Sequence, residues 1–329
     1  VLACAWALFS AAGAPLGTAG AVAATTVNVD TEPELQAAVT AANGAGGDYV
    51  ILVADGTYTL SDTLYVNAPD VTIRGVSGNR SAVVIQGDAM SAGASVKNLI
   101  RVADDDFRIE DLTLQRSGWH LIQIAGETGA DRAVMSNLIL RDAYEQMIKG
   151  SYDSGTPGSG SNDGVVEDCL FEYTAGIGPQ WYIGGIDVHA GANWVVSGNT
   201  FKDIASPSAD IAEHAVHFWS LSSGTVVEDN VIIDCDRGIG FGLTPGRGHT
   251  GGIIRNNMIY HSNNGDPFAD IGIALAESPG TLVYNNTVHS EHPFLWSIEY
   301  RYAATTGCAI RNNLANKPIW QRDGASGTV

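Results

Sequence analysis

Apolar and polar residues alternate in three short segments near the middle of the chain, at 185–189, 215–219 and 238–242. A period of two is typical of a strand that is buried on one face only. We expect the core to receive Ile186 and Val188, Val216 and Phe218, and Ile239 and Phe241. The opposite faces then present Asp187 and His189, His217 and Trp219, and Gly240 and Gly242. Two polar pairs beside two glycines predict a functional surface next to open space.

A related apolar pattern repeats from Val71 onward, and its later copies each end in an asparagine. These asparagines recur every 27 to 31 residues, at Asn199, Asn230, Asn257, Asn286 and Asn313. One step of this length fits a coil of two or three short strands joined by turns. Asparagine is also a common turn residue. The constant spacing favours a ladder in which the amides of successive coils are hydrogen-bonded to each other.

A helix is predicted ahead of the first strand. Thr31 is placed as its N-cap, Glu34 completes a capping box three residues later, and Asn43-Gly44 ends it. The apolar segment 49–53 follows and reads as a strand. We expect the helix to cover the open end of stacked coils, which would otherwise expose core and unpaired backbone groups.

Composition restricts the location and the partners of the protein. Residues 1–23 are apolar and small and end in Ala-Val-Ala, which resembles a signal peptide and predicts secretion. No other stretch is long enough to span a membrane. The formal net charge of −19 argues against nucleic acid as a partner. A local cationic patch on an acidic body still allows an anionic polysaccharide. The odd set Cys169, Cys235 and Cys308 predicts buried free thiols.

The repeat, the ADGTY sequence at 54–58 and the N-terminal cap resemble the right-handed parallel β-helix of the pectate-lyase-like superfamily. The resemblance implies an all-β solenoid with a short N-terminal capping helix. Residues 1–23 would form the leader, 24–46 the cap helix and 47–329 the β-helix. Many secreted proteins of this superfamily are polysaccharide lyases, so the resemblance also implies an acidic polysaccharide as substrate. We expect a monomer.

Stacking the apolar pairs of successive coils places the outward residues in two columns. Successive residues of one column are about 4.8 Å apart along the axis. We define the outer column as Gln123, Lys149, Asp187, His217, Gly240, Ala274 and Glu299. The second column holds His189, Trp219, Gly242 and Arg301. Insertions at 151–163, 176–182, 204–213, 245–250 and 262–270 are expected to leave the coils at turns. They would wall a groove or vary freely at the surface.

The columns offer the groups that β-elimination of a uronic acid polymer needs. A cation must neutralise the substrate carboxylate, and we assign Lys149 and Arg237, with Ca²⁺ on Asp187 as the metal alternative. A base must remove the adjacent proton, and a histidine titrates in the useful range. We assign His217 as base and His189 as acid or second base. The predicted substrate-binding residues are Asp187, His214, Trp219 as a sugar platform, Arg247, His249 and Arg301.

Three other functions fit the same pattern. Glycoside hydrolysis needs two carboxyl groups that face the bond to be cleaved. The predicted outer face offers only Asp187, with Asp210, Glu213 and Asp236 near turns. A C5-epimerase would share the base and the cation of a lyase. A non-enzymatic carbohydrate-binding or adhesive β-helix would have scattered outward residues instead of clustered histidines and cations. The lyase is the preferred prediction.

Overall fold

In the computed structural model, which describes residues 24–156 and 158–329, the chain winds into coils of three short strands. The leader predicted at 1–23 lies outside the described residues. Each strand pairs in parallel with its equivalents in the coils before and after it, which builds three long sheets. Successive strands of one coil belong to sheets A, B and C in turn. The predicted all-β, right-handed parallel β-helix with one N-terminal helix is confirmed.

The strands are short and their bounds follow the apolar repeat. Sheet A contains Thr25–Val29, Tyr49–Val53, Val71–Gly75, Arg108–Glu110, Val134–Ser136, Val165–Glu167, Val195–Ser197, Val226–Glu228, Ile253–Arg255, Leu282–Tyr284, Cys308–Arg311 and Gly327–Thr328. Sheet B contains Gly56–Thr59, Val83–Gln86, Thr113–Ser117, Ile139–Ala143, Leu170–Glu172, Thr200–Lys202, Val231–Ile233, Met258–His261, Thr287–Ser290 and Leu314–Ala315. Sheet C contains Leu64–Val66, Ile100–Val102, Ile122–Ala125, Gln146–Ser151, Gly184–His189, His214–Trp219, Arg237–Phe241, Ile273–Ala276, Ile298–Arg301 and Ile319–Arg322. A two-stranded pair, Ser222–Ser223 with His249–Thr250, and a 3₁₀ turn, Gly126–Thr128, complete the elements.

The α-helix Glu32–Ala45 packs Leu35, Val39 and two alanines against the first coil. Thr31 is its N-cap residue but makes no side-chain capping bond, and Glu34 instead accepts a hydrogen bond from the Asp30 amide at 3.0 Å. The predicted capping box and the predicted end at Asn43-Gly44 are therefore wrong in detail. The helix ends at Ala45 and is capped by Gly46, whose φ of 80° favours glycine. No helix among residues 24–156 and 158–329 has the length and apolarity to cross a bilayer.

The interior is a continuous apolar core into which every coil contributes. Ile186, Val188, Val216, Phe218, Ile239 and Phe241 are all fully buried, as their alternation predicts. At one turn per coil, the side-chain amide of Asn230 donates to Asn257 Oδ1 at 3.0 Å, and that of Asn257 donates to Asn286 Oδ1 at 2.9 Å. The same contact joins Asn199 to Asn230 and Asn286 to Asn313. These bonds satisfy polar groups that the stacking of coils removes from water.

The longer insertions leave the coils at the two edges of sheet C. The segments 176–182, 204–213 and 262–270 connect sheet B to sheet C, and 151–163 and 245–250 connect sheet C to sheet A. Loops therefore lie at both edges of the outer face of sheet C. We call the part of this face between the loops the groove; it carries the outer column.

Candidate active site on sheet C

Strand pairing in sheet C confirms the predicted outer column. Lys149 pairs with Asp187, Asp187 with His217, and His217 with Gly240. The column continues through Ala274 to Glu299, and Gln123 precedes it. Parallel register places these residues on adjacent coils, so residues almost 40 positions apart in sequence become direct neighbours. Alternation predicts which residues of each strand face outward, because a slip of one residue would have put charged groups into the core.

Lys149 and Asp187 form the centre of the cluster. Lys149 Nζ lies 2.6 Å from Asp187 Oδ2, and the side chains are only 12% and 2% exposed. The other carboxylate oxygen accepts a hydrogen bond from Trp219 Nε1 at 2.6 Å. Burial opposes the charge on Lys149, but the Asp187 carboxylate outweighs it and raises the pKa of the ammonium. Burial likewise disfavours the Asp187 carboxylate, yet Lys149 holds its pKa well below the usual range.

His189 lies next to the ammonium, on the side that opens to the groove. Its Nε2 is 3.0 Å from Lys149 Nζ, which can only donate, so Nε2 carries the lone pair. Burial lowers the pKa of His189 to about 4, and the nearby Asp187 opposes this shift. The ring is stacked on Tyr152 with centroids 5.2 Å apart. Tyr152 belongs to the insertion 151–163, and sequence reasoning missed it because it lies just beyond the end of its strand.

His217, the predicted base, is fully buried beneath this surface. Its ring is stacked on Trp219 with centroids 5.1 Å apart, and its Nε2 lies 3.1 Å from the Gly242 carbonyl oxygen. His217 Nδ1 lies 3.3 Å from Glu213 Oε2 and 3.9 Å from Asp187 Oδ1. A side chain with no exposed surface cannot contact a polysaccharide in this conformation. The assignment of His217 as the base is therefore contradicted by its burial.

The two glycines do not leave open space, which corrects a second expectation. A Cβ at Gly240 would lie 2.6 Å from His214 Nε2, so the His214 imidazole covers the floor that Gly240 vacates. At Gly242, φ is 72°, and a Cβ would lie 1.7 Å from the Ala276 carbonyl oxygen. Gly242 is needed for a turn and a close backbone approach rather than for ligand space.

Trp219 is 8% exposed and lies within the cluster rather than over it. The Arg247 guanidinium lies 5.4 Å from the ring centroid, and the His189 ring lies 4.3 Å away on centroids. Its expected role as an open sugar platform is therefore wrong in this conformation, because its faces are already in contact. The indole instead holds Asp187. Arg247 itself is exposed at the rim, where a substrate anion can reach it.

A cleft of about 400 Å³ continues the groove beyond His214 along sheet C. Arg237, Arg301 and Arg322 line it together with Asp270 and Glu299. Arg237 Nε donates to Asp270 Oδ2 at 2.9 Å, while Arg322 Nε lies 3.3 Å from Glu299 Oε2. Arg237 and Arg301 therefore belong to this cleft rather than to the Lys149 cluster. Asp323 Oδ2 also lies 3.5 Å from Arg301 Nε and 3.6 Å from Arg322 Nε. Three guanidinium groups therefore face three carboxylates and are already paired within the protein.

His249 is separate from both regions, which corrects its assignment to substrate binding. It is 1% exposed, its ring is stacked on core residue Phe241 at 4.0 Å, and its Nε2 contacts Thr225 Oγ1 at 3.0 Å. Burial lowers its pKa to about 3, so the ring is neutral. The alternation of residues does not predict this burial, because His249–Thr250 forms a short strand that pairs with Ser222–Ser223 outside the three long sheets.

Asp187 does not fit a calcium ion. Calcium takes six to eight oxygen ligands. Both oxygens of Asp187 already accept short hydrogen bonds from donors, Lys149 and Trp219, that repel or exclude a cation. The predicted Ca²⁺ ligand is therefore an internal counter-ion for Lys149.

The fold matches several solved structures. An alginate lyase from a Paenibacillus species has a TM-score of 0.62 and 18% identity, over 93% of this chain and 99% of that one. A DFA-IIIase from Arthrobacter chlorophenolicus has a TM-score of 0.51 and 12% identity, over 90% of this chain and 83% of that one. A mannuronic acid specific family 6 polysaccharide lyase from human gut microbiota has a TM-score of 0.48 and 15% identity, over 88% and 74%. At these identities, the first two structures show that their fold is shared with this chain. No protein-family model and no curated protein sequence matches the chain.

Proposed function

We propose that this protein is a polysaccharide lyase that cleaves an acidic, uronic-acid polymer by β-elimination in the groove over sheet C. The observation that carries the proposal is the contact between Lys149 Nζ and His189 Nε2 at 3.0 Å. It places a cation and a neutral proton acceptor at one point of the groove. β-Elimination requires this pair, since the proton is removed next to a carboxylate whose charge must be neutralised.

Lys149 is the neutralising group. An ammonium can donate three hydrogen bonds. Asp187 and His189 each accept one of them, so the third remains for the substrate carboxylate. The raised pKa keeps Lys149 charged and argues against Lys149 as the base. Asp187 and Trp219 fix the ammonium in place and act as positioning residues. Arg247 at the rim supplies further positive charge to the polymer.

His189 replaces His217 as the proposed base. When the ammonium turns toward the substrate carboxylate, the lone pair on His189 Nε2 becomes free to remove the C5 proton. The electron pair from that C–H bond forms the C4–C5 double bond, and the bond to the 4-linked oxygen breaks. The imidazolium can return its proton to this leaving oxygen, which balances the reaction. The arginines of the adjacent cleft would bind the carboxylates of neighbouring uronates in the polymer, in exchange for their present pairs with Asp270, Glu299 and Asp323.

The similarity in fold to an alginate lyase supports a polysaccharide substrate, and the leader-like sequence at 1–23 supports secretion. A polymer is degraded outside the cell, where the substrate is found. N-terminal sequencing of the protein recovered from culture medium tests this, because export with cleavage would leave residue 24 as the first residue.

The test is the ultraviolet absorbance of the unsaturated uronate product, measured across alginate, pectate, glucuronan and glycosaminoglycans. We expect absorbance with one or more polymers, and its loss in Lys149→Met and His189→Gln. Lys202→Met and His289→Gln are matched controls, since both residues lie on sheet B with side chains 43% and 51% exposed. Full activity of Lys149→Met would contradict the proposal. C5 inversion without cleavage, seen by NMR, would identify an epimerase. Polymer binding without any chemistry would identify a binding protein.

Glycoside hydrolysis is the second candidate, favoured by one observation in the cleft. Burial raises the pKa of Glu299 although Arg322 and Arg301 oppose the shift, and Asp270 lines the same cleft. A carboxyl group with a raised pKa beside a second carboxylate is the arrangement of a glycosidase acid and its partner. New reducing ends without absorbance, lost in Glu299→Gln, would establish this function instead.

A further inference from the structure

One carboxylate and two imidazoles converge at the start of the strand His214–Trp219. Glu213 Oε2 lies 3.3 Å from His217 Nδ1 and 3.9 Å from His214 Nδ1, and the three atoms all lie within 4.8 Å of one another. The side chains are 15%, 0% and 4% exposed. In the described part of the chain, none of these three atoms has a hydrogen-bond partner. Such unpaired buried polar atoms are rare and require an explanation.

The hydrogen bond on the far side of His217 determines which atom carries its proton. His217 Nε2 lies 3.1 Å from the carbonyl oxygen of Gly242, which can only accept. Nε2 therefore carries the proton, and the neutral ring presents a lone pair at Nδ1. That lone pair faces Glu213 Oε2, which is also an acceptor, and His214 Nδ1 points toward the same space. A positive species is needed between these atoms.

We propose that Glu213, His214 and His217 form a binding site for a divalent transition metal of the zinc class. Tetrahedral Zn²⁺ binds imidazole nitrogen and carboxylate oxygen at about 2.0–2.2 Å, which places ligand atoms about 3.3–3.6 Å apart. The separations of 3.3 and 3.9 Å are close to this geometry. A carbonyl that holds the second nitrogen of a ligating imidazole is also the usual outer partner of such sites.

The donor set determines the class of ion. Two nitrogens and one oxygen suit Zn²⁺, Co²⁺ or Ni²⁺, whereas Ca²⁺ and Mg²⁺ require oxygen ligands. Asp187 Oδ1, 3.9 Å from His217 Nδ1, adds negative charge nearby, and Arg237 is a cation near His214 that opposes this effect. Three protein ligands leave one coordination position. Because His214 also lines the cleft, water or a substrate oxygen from the groove can complete the set.

This site is separate from the pair Lys149–His189 and does not depend on the reaction proposed above. Its failure and that of the lyase are distinguishable, because metal binding is measured without any substrate. The competing occupant is a proton shared between Glu213 and His217. A proton would satisfy one pair of acceptors and leave His214 Nδ1 unpaired, whereas a metal satisfies all three.

The experiment is a titration of the purified, chelator-treated protein with Co²⁺, followed by visible absorption and by calorimetry. We expect one equivalent to bind with the intense visible bands of tetrahedral cobalt, and Zn²⁺ to displace it. Glu213→Gln and His214→Gln should each weaken binding by at least about tenfold. Glu213→Gln is the more informative variant, since its side chain keeps its shape and the Oε2 atom it replaces makes no hydrogen bond within 24–156 or 158–329.

Two further histidine variants serve as controls. His249→Gln removes a buried histidine outside the site, and His289→Gln removes an exposed one. Both should bind Co²⁺ like the original protein. Absence of Co²⁺ binding in the unsubstituted protein would overturn the proposal. This outcome does not depend on whether any variant folds. Binding that survives in Glu213→Gln and His214→Gln but is lost in His289→Gln would overturn it as well, because the metal would then be a surface contaminant.

Discussion

Replacing Lys149 by methionine separates the catalytic part of the ion pair from its structural part. The change leaves the Asp187 carboxylate buried without its cation, and removing one partner of a buried pair costs about 3–5 kcal/mol. Trp219 Nε1 still donates to Asp187, so we expect the lower end, about 3 kcal/mol. For a chain of 329 residues, that loss lowers Tm by roughly 4 °C. Activity should be lost as well.

The double variant Lys149→Met with Asp187→Asn removes both charges and keeps an acceptor for the Trp219 indole. We expect it to recover most of the lost stability, as buried pairs replaced by neutral groups commonly do, but none of the activity. Calorimetric unfolding and the absorbance assay measure the two quantities on the same samples. Recovery of activity in the double variant would refute the reasoning, because Lys149 would then serve only to neutralise Asp187.

Three further predictions concern protonation and the stacked amides. His189 must be unprotonated to act as the base, so kcat/KM should fall as pH decreases through about 4 and stay level above it, measured as a pH–rate profile. Burial raises the pKa of Asp236 to about 6, so its ionisation destabilises the fold as pH rises from about 4 to about 6. In urea titrations, the free energy of unfolding of Asp236→Asn should therefore be about 2–3 kcal/mol higher than that of the original protein above pH 6 and equal to it near pH 4. Asn257→Ala should lower the free energy of unfolding by about 3 kcal/mol or more, because four buried and one partly buried hydrogen bonds are lost. Replacing the exposed Asn28 by alanine should change it by less than about 0.5 kcal/mol.

The register of sheet C could be predicted because two independent constraints act on it. Alternation fixes which residues point outward, and the constant coil length fixes which coils are neighbours. Together they place Lys149 beside Asp187 although 38 positions separate them. A parallel solenoid allows this inference, since equivalent residues of successive coils always stack.

Burial within the outward face could not be predicted in the same way. His217 and Trp219 point outward by parity, yet loops and neighbouring side chains cover them. His214 is two residues before the core residue Val216, so alternation predicts that its side chain points into the core. Its ring instead lies over Gly240, because glycine leaves room there. His249 lies in a two-residue strand that pairs with Ser222–Ser223 outside the three long sheets, so the coil repeat does not apply to it. Parity gives the direction of a side chain, whereas its exposure depends on the conformation of the insertions.

The segment Glu213-His214-Ala215-Val216-His217 shows what a spacing-based search would have found. Two histidines at i and i+3 next to a glutamate are a recognisable ligand pattern on a helix, where they share one face. On a regular strand the same spacing would send them to opposite faces, so the predicted strand argued against a metal site. His214 pairs with Arg237 in the same register as the rest of the strand, yet the two histidine rings lie with centroids 4.4 Å apart. The room that Gly240 leaves for the His214 ring is therefore what brings the three donor atoms together, and Gly240→Ala should separate them without changing any ligand, since its Cβ would lie 2.6 Å from His214 Nε2.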